Sequence, residues 1–181
     1  MPIQIYSLYI FDRHTECIYS KQWLPPATPT PSSLTSAPTG QPDLLSGDSQ
    51  QQQTPQTQQL QQAPSKQRRN KSSDDAKLIF GTVFSLRNMV RKLGGEDDAF
   101  ISFRTAHYKL HYYETPTNLR FALLTEPGAF SMRNVLHQIY INLWVEYVVK
   151  NPLSPVEHKG GEGVRNEMFE LGLDKFIRGM M

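Results

Sequence analysis

Residues 3–11 read Ile-Gln-Ile-Tyr-Ser-Leu-Tyr-Ile-Phe, and nearly all of them are β-branched, aliphatic or aromatic. Apolar side chains occupy both alternating faces of this stretch, a pattern that is typical of a central strand covered on both sides. Residues 12–15, Asp-Arg-His-Thr, follow as a turn, and residues 16–23 continue as a second strand. The chain is therefore predicted to begin with a β-hairpin whose first strand lies inside a sheet.

A helix, three strands and two further helices are predicted after the hairpin. Asp74 or Asp75 is positioned to cap the first helix, which extends to about Leu93. The three strands are predicted over residues 100–105, 108–114 and 119–124. Ser131 is expected to cap a second long helix, and a last helix spans roughly residues 166–178. This order, ββαβββαα, predicts an α+β fold in which a five-stranded antiparallel sheet carries helices on both faces.

Residues 25–75 differ sharply in composition from the rest of the chain. They contain 8 of the 13 prolines, 11 glutamines and 14 serines or threonines, but no aromatic residue. Such a segment buries too little apolar surface to offset its ordering entropy, so it is predicted to be a disordered insert. The chain is thus divided into residues 1–24, the insert 25–75, and residues 76–181, which complete the domain that the hairpin begins.

The charge and cysteine content exclude several classes of protein. Nineteen lysines and arginines stand against 17 aspartates and glutamates, and a net charge of +2 is too small to indicate a nucleic-acid partner. A single cysteine, Cys17, excludes a disulfide framework and a CxxC metal site. Because charged residues occur early in the chain and no long apolar run is present, we expect a soluble intracellular protein.

The first helix is predicted to carry two kinds of surface. Its buried stripe consists of apolar residues at spacings of three and four, namely Ile79, Val83, Leu86, Val90 and Leu93. A second strip lies about 100° around the helix. It consists of Phe80, Phe84, Arg87, Asn88 and Arg91. Aromatic anchors beside arginines are typical of protein–protein contacts, so these five residues are our hypothesis for a partner interface. The alternative is that a neighbouring loop covers the two phenylalanines.

The second long helix is apolar on nearly every side in its C-terminal half. Outside its main hydrophobic face lie Ile141, Trp144, Val145 and Val148. A helix that is apolar all round is buried all round, and one small sheet cannot cover every side of it. The last helix is expected to provide part of the cover. These four residues are our hypothesis for contact with another protein chain.

No group of residues indicates catalysis, and we expect neither a cofactor nor a metal. His107 and His111 are predicted on one strand face, but Lys109 lies between them and no nearby acid or cysteine completes a metal site. Structural or surface histidines are the simpler interpretation. Cys17 has no histidine or asparagine grouped with it in the sequence, but partners that are close only in space stay possible. A thiol hydrolase that uses Cys17 is therefore kept as an enzyme alternative.

Four segments of the chain resemble a known family. They lie at residues 8–13, 80–88, 104–117 and 135–153. The third segment reads Arg-Thr-Ala-His-Tyr-Lys-Leu-His-Tyr-Tyr-Glu-Thr-Pro-Thr and is far more specific than the topology alone. Together they resemble the subunit 1 family of the TRAPP (transport protein particle) complex, which are small longin-type subunits of the sedlin and synbindin kind.

The resemblance implies a longin-like fold and a role in vesicle transport. The TRAPP core is a guanine-nucleotide exchange factor for a Rab GTPase that acts between the endoplasmic reticulum and the Golgi apparatus. The resemblance therefore implies a non-catalytic core subunit that pairs with a second longin-like subunit and with larger α/β subunits. The resemblance also implies that the chain contacts the Rab GTPase through the assembled complex. The implied location is cytoplasmic, peripheral at cis-Golgi and endoplasmic reticulum membranes. The partner interface on the first helix becomes a candidate GTPase contact, whereas the insert departs from the compact family pattern.

Two other classes of protein share this topology. A longin-type small subunit of a clathrin-adaptor coat complex lacks the sequence match, and it predicts copurification with large coat subunits. A SNARE longin domain requires a C-terminal heptad coiled coil and a membrane anchor, and the sequence up to Met181 shows neither.

Overall fold

The computed structural model describes residues 2–24, 64–158 and 163–181. Within these residues, one antiparallel sheet has the strand order β2-β1-β5-β4-β3. The strands are β1 Ile5–Phe11, β2 Cys17–Gln22, β3 Ser102–Arg104, β4 Lys109–Glu114 and β5 Arg120–Thr125. The predicted α+β class, with a longin-like five-stranded antiparallel sheet and helices on both faces, is confirmed.

Strand β1 is buried along its whole length, as its sequence predicts. It pairs with β2 on one side and with β5 on the other. Leu8 and Ile10 point into one hydrophobic cluster, and Tyr9 and Phe11 point into another on the opposite face. Alternation of side chains along a strand explains this division, because successive Cβ atoms leave the sheet on opposite faces.

Helix α1 spans Pro64–Gly94 and covers the face of the sheet that carries Tyr9 and Phe11. It begins well before Asp74, so the predicted cap at Asp74 or Asp75 is wrong. Pro64 suits the start of the helix, because backbone N–H groups in the first turn have no acceptor within the helix and proline therefore costs no hydrogen bond there. Gly95 ends the helix with a positive φ of 100°. Residues 25–63 of the predicted insert lie outside the described residues, and disorder there stays a prediction.

The second helical stretch changes its hydrogen-bonding pattern midway. Helix α2 spans Arg133–Gln138 and continues as a π-helical segment over Ile139–Val149. The wider repeat is visible at its end, where Lys150 N donates to Val145 O at 2.9 Å across five residues. The predicted Ser131 cap is wrong, since Met132 holds that position without a side-chain cap. Instead, Met132 N lies 3.4 Å from His111 Nδ1.

Helix α3 spans Glu167–Arg178 and lies beside the π-helical segment, close to its predicted place. Asn166 caps it, accepting hydrogen bonds through Oδ1 from Met168 N at 3.0 Å and Phe169 N at 3.1 Å. The same side chain donates from Nδ2 to Tyr147 O at 2.6 Å. One amide group thus starts α3 and ties it to the neighbouring helix.

Candidate interaction surface on the first helix

The inner side of α1 packs on the sheet much as its hydrophobic stripe predicts. Val83 is buried, and Ile79, Leu86 and Val90 pack partly buried against the same cluster of the sheet. Leu93 is 82% exposed, so its predicted place in the buried stripe is wrong. Leu93 lies only about 20° around the helix from Leu86, but it stands in the last turn of α1, which ends at Gly94.

Beside its buried stripe, α1 carries a line of large apolar residues that are exposed. Leu78 is 70% exposed, Met89 is 49% exposed and Leu93 is 82% exposed. At 3.6 residues per turn these three positions lie within about 60° of one another. We call Leu78, Met89 and Leu93 the outer stripe. Sequence reasoning missed it, although the spacing of eleven and four between its members was a readable signal.

The predicted strip of Phe80, Phe84, Arg87, Asn88 and Arg91 forms the opposite flank of α1, across the buried stripe from the outer stripe. Phe80 is half-buried and packs on Phe11, with ring centres 5.4 Å apart. Phe84 stacks on Phe80 at 5.9 Å and remains 49% exposed. The strand β1 therefore covers the first phenylalanine, whereas the second stays accessible. Asn88 is half-buried and Arg91 is exposed.

Arg87 is already engaged within the chain. Its Nε donates to Glu114 Oε2 at 2.8 Å, and its Nη2 donates to Glu114 Oε1 at 3.1 Å. Arg120 also contacts Oε1, at 3.3 Å. Burial alone would raise the pKa of Glu114, but the Arg87 hydrogen bonds and the charges of Arg87 and Arg120 lower it overall. Sequence reasoning could not assign this pair, because Glu114 lies on a distant strand.

The second predicted surface is only partly accessible. Trp144 and Val148 are each 5% exposed. Trp144 packs edge-on against Phe121 at 6.2 Å and Phe169 at 5.6 Å. Trp144 and Val148 are therefore buried within the chain and offer no exposed surface to another chain, contrary to the prediction. Ile141 is 42% exposed and Val145 is half-buried, so these two stay available.

The geometry around Cys17 does not favour a nucleophilic thiol. The side chain is half-buried, and Sγ lies 3.4 Å from Tyr19 O, which accepts its hydrogen bond. Burial raises the pKa of the Cys17 thiol to about 11, so the thiol is protonated at neutral pH. The reactive form of cysteine is the thiolate, and this environment suppresses it.

His107 and His111, the two histidines considered in the sequence, differ in position and in burial. His111 is buried on β4, with Nε2 3.0 Å from Thr125 Oγ1. Burial, with a contribution from the Lys109 charge, lowers the pKa of His111 to about 4, so its imidazole is neutral at physiological pH. His107 is exposed before β4 begins. In the part of the chain that the structure describes, no three His, Cys, Asp or Glu side chains are arranged to hold a metal ion.

None of the helices in the described ranges combines the length and the hydropathy that crossing a bilayer requires.

Comparison with known proteins identifies the family. The model of the Sybindin-like family matches residues 5–180. The chain is 40% identical to the "Transport protein particle subunit bet5" of Schizosaccharomyces pombe over 179 residues, which is 96% of each chain. It is 30% identical to the "Trafficking protein particle complex subunit BET5" of Saccharomyces cerevisiae over 173 residues, 94% of this chain and 86% of the relative. It is 45% identical to the "Trafficking protein particle complex subunit 1" of Rattus norvegicus over 109 residues, 59% of this chain and 72% of the relative.

These matches confirm the resemblance found in the sequence, and the family model spans the sheet and all the described helices. The chain belongs to the Sybindin-like family.

Proposed function

We propose that the chain is a non-catalytic core subunit of a TRAPP-type tethering complex. In this role it helps to assemble a guanine-nucleotide exchange factor for a Rab GTPase in transport from the endoplasmic reticulum to the Golgi apparatus. Its location is cytoplasmic and peripheral at cis-Golgi and endoplasmic reticulum membranes, through the complex. The names of its relatives, which are subunits of a transport or trafficking protein particle, support the first part of this proposal.

The observation that carries the proposal is the outer stripe of α1. Leu78, Met89 and Leu93 form an exposed apolar line beside the stripe of α1 that is already packed on the sheet. Fully burying one such side chain stabilises an assembly by about 1.5–3 kcal/mol. Exposed apolar residues grouped on one face are typical of subunit contacts, and we assign this face to a neighbouring subunit of the complex.

The flank of α1 supplies a proposed partner contact of its own. Phe84 offers an accessible aromatic anchor, and Asn88 and Arg91 offer hydrogen-bond donors beside it. Phe80 and Arg87 act as supports, since each is already held by the sheet. Nucleotide exchange then requires no bond chemistry from this chain. The complex releases the nucleotide because it binds the nucleotide-free GTPase more tightly than the loaded one.

A second subunit contact is proposed at Ile141 and Val145 on the π-helical segment. Ile141 is exposed and Val145 is half-buried there. This contact is smaller than the sequence suggested, because Trp144 and Val148 are covered within the chain.

Copurification tests the proposal directly. The tagged full-length chain is coexpressed with the other subunits, either unchanged or with Leu78→Ser, Met89→Ser and Leu93→Ser combined. We expect the triple variant to lose most of the copurifying subunits, while its own circular dichroism is retained. Leu171→Ser is the matched control, since Leu171 is 66% exposed on α3. Wild-type recovery of partners by the triple variant, or equal loss with the control, contradicts the assignment of the outer stripe.

A nucleotide-release assay tests the exchange role separately. Complex containing the chain is expected to accelerate the release of a fluorescent guanine nucleotide from a Rab GTPase, and complex reconstituted without the chain is expected to lose that acceleration. Equal rates would contradict a role in exchange. Copurification with large coat subunits instead would support the clathrin-adaptor alternative.

A further inference from the structure

A charged cleft lies at the C-terminal end of α1, outside the outer stripe. It is bounded by the last turns of α1, the loop before β3, the end of β4 and the start of α2. Its charged side chains are Arg87, Arg91, Asp98, Glu114 and Arg133, and Phe100 forms part of its apolar wall. Three guanidinium groups thus share one cleft with two carboxylates.

One of the two carboxylates is fully occupied by arginines. Glu114 accepts two hydrogen bonds from Arg87 and one from Arg120, so two positive charges share one negative charge. This cluster therefore carries a net positive charge at neutral pH. The side chains of Arg87 and Glu114 are only 18% exposed, which weakens screening by solvent and fixes the geometry of the pair.

The two other arginines of the cleft have no carboxylate partner within the described ranges. Neither Arg91 nor Arg133 takes part in any of the ion pairs found there. The guanidinium of Arg133 lies over the ring of Tyr113, 5.9 Å from its centre, which leaves its hydrogen-bond donors available. Asp98 accepts a hydrogen bond from Ala99 N at 2.8 Å.

We propose that this cleft receives an aspartate or glutamate side chain from a neighbouring subunit, and that Arg91 and Arg133 bind its carboxylate. The inference rests on the proposed function, because it requires the chain to be part of a complex. A singly charged carboxylate fits the cleft better than a phosphate dianion, since Asp98 lines the same cleft and repels a second negative charge.

The neighbourhood of the cleft also favours a protein partner. Phe84 lies two helical turns before Arg91 on the same flank of α1, about 10 Å away along the helix axis. It is 49% exposed. A peptide segment that places its carboxylate between Arg91 and Arg133 can therefore cover Phe84 with an apolar neighbour, and the two contacts reinforce each other.

The first test reverses the charge of both arginines in the full-length chain and uses complex that is reconstituted from that variant. We expect Arg91→Glu combined with Arg133→Glu to lower the affinity for the partner subunits about tenfold at low salt, with the difference shrinking as salt rises. Lys92→Glu is the matched control, because it changes charge in the same last turn of α1 but lies outside the lining of the cleft. Equal affinity and equal salt dependence of the double variant and the control would overturn the inference.

Zero-length coupling is the second test and identifies the acid. A carbodiimide joins an amine to a carboxylate in direct contact, so the Arg91→Lys variant is treated within the assembled complex and mapped by mass spectrometry. A link from position 91 to an aspartate or glutamate of another subunit is expected. Links from position 91 only to Asp98 or Glu114 of the same chain, or no link at all, would overturn the inference.

The two tests separate this inference from the proposed function. If the outer-stripe variant loses its partners while the arginine variants keep theirs, the cleft assignment fails and the subunit role stands. If the outer-stripe variant also keeps its partners and exchange is unaffected by removing the chain, the proposed function itself fails.

Discussion

The two faces of the sheet are covered to very different extents. Under α2, the π-helical segment and α3, eighteen buried residues form one continuous cluster. Under α1, the described residues form two separate clusters of four buried residues each. Hydrophobic stabilisation scales with the apolar area removed from water, so the face under α2 and α3 supplies most of the stability of the chain by itself.

The unequal covering of the two faces indicates where the chain is expected to contact other proteins. The sequence suggested that the second long helix was too apolar to be covered within the chain, yet Trp144 packs against β5 and α3, and Val148 is buried in the same cluster. On helix α1 the sequence predicted a partner interface only at the flank, yet Leu78, Met89 and Leu93 are exposed as well. The thinly covered face, rather than the apolar helix, is therefore the one on which assembly is expected to act.

The largest expected change in the free energy of unfolding comes from truncating a side chain in the continuous cluster of eighteen buried residues. Phe169 is fully buried and packs edge-on against Tyr19 at 5.1 Å and Trp144 at 5.6 Å. Phe169→Ala is expected to lower the free energy of unfolding by about 3–5 kcal/mol, because it removes a large buried ring and leaves a cavity. Urea unfolding of the purified full-length chain, followed by circular dichroism, measures this.

The matched control for Phe169 lies on the other face. Phe84→Ala removes the same atoms from a ring that is half exposed, and it is expected to cost less than about 1 kcal/mol. Similar losses for the two variants would contradict the contrast between the faces.

A smaller effect is expected from pH, through His111 on the face under α2. Its pKa is lowered from 6.5 to about 4 by burial and by Lys109, so the unfolded chain binds the proton more tightly. The free energy of unfolding should therefore be unaffected by this group above pH 6.5, and should fall by about 3 kcal/mol as the pH is lowered to about 4. Urea unfolding at several pH values measures the slope.

His111→Gln provides the comparison for that slope. The glutamine amide can still donate to Thr125 and accept from Met132 N, but it does not titrate. The variant should lose the slope between pH 6.5 and 5. Glu114, whose pKa is lowered, adds its own loss only as the pH falls below about 4.5, so it does not obscure this window. Equal slopes for the two proteins would show that His111 is not buried as a neutral side chain.

The smallest effect compares one glycine from each face. A Cβ atom at Gly172 on α3 would lie 3.0 Å from Leu143 Cδ2 and 3.6 Å from Tyr147 Cε2, whereas one at Gly81 on α1 would meet nothing within 4 Å. Gly81→Ala should stabilise the chain by about 0.5–1 kcal/mol through helix propensity. Gly172→Ala should destabilise it by up to about 1 kcal/mol, because overpacking exceeds that gain. Melting temperatures of both variants test the opposite signs, and two increases would mean that α3 packs no more closely than α1.

Local patterns predicted the elements that one stretch of sequence specifies. Residues 3–11 indicated a central strand, and β1 is buried throughout. Asn166 and the apolar spacing after it indicated the last helix, and its side chain caps α3. The predictions failed where the outcome depends on contacts distant in sequence. Ser131 does not cap α2, because the backbone of Met132 meets the buried His111 from β4 instead.

In the candidate site, too, local spacing predicted the positions of residues but not their partners from distant strands. The flank of Phe80, Phe84, Arg87, Asn88 and Arg91 could be located by helical spacing alone. Spacing could not show that Phe80 meets Phe11 and that Arg87 meets Glu114, since each partner comes from a strand far along the chain. The outer stripe was within reach of the sequence, but it was overlooked because Leu93 was assigned to the buried side.

Local sequence patterns were enough to establish the α+β class, the order of the elements, the central place of β1 and the family. Each of these follows from side-chain alternation, helical spacing or a specific run of residues, all of which are local. Which apolar residues are buried and which charges are paired became clear from the three-dimensional fold. Burial and ion pairing depend on which elements meet in space, and in this chain α3 closes one face while α1 leaves its outer stripe uncovered by the described residues.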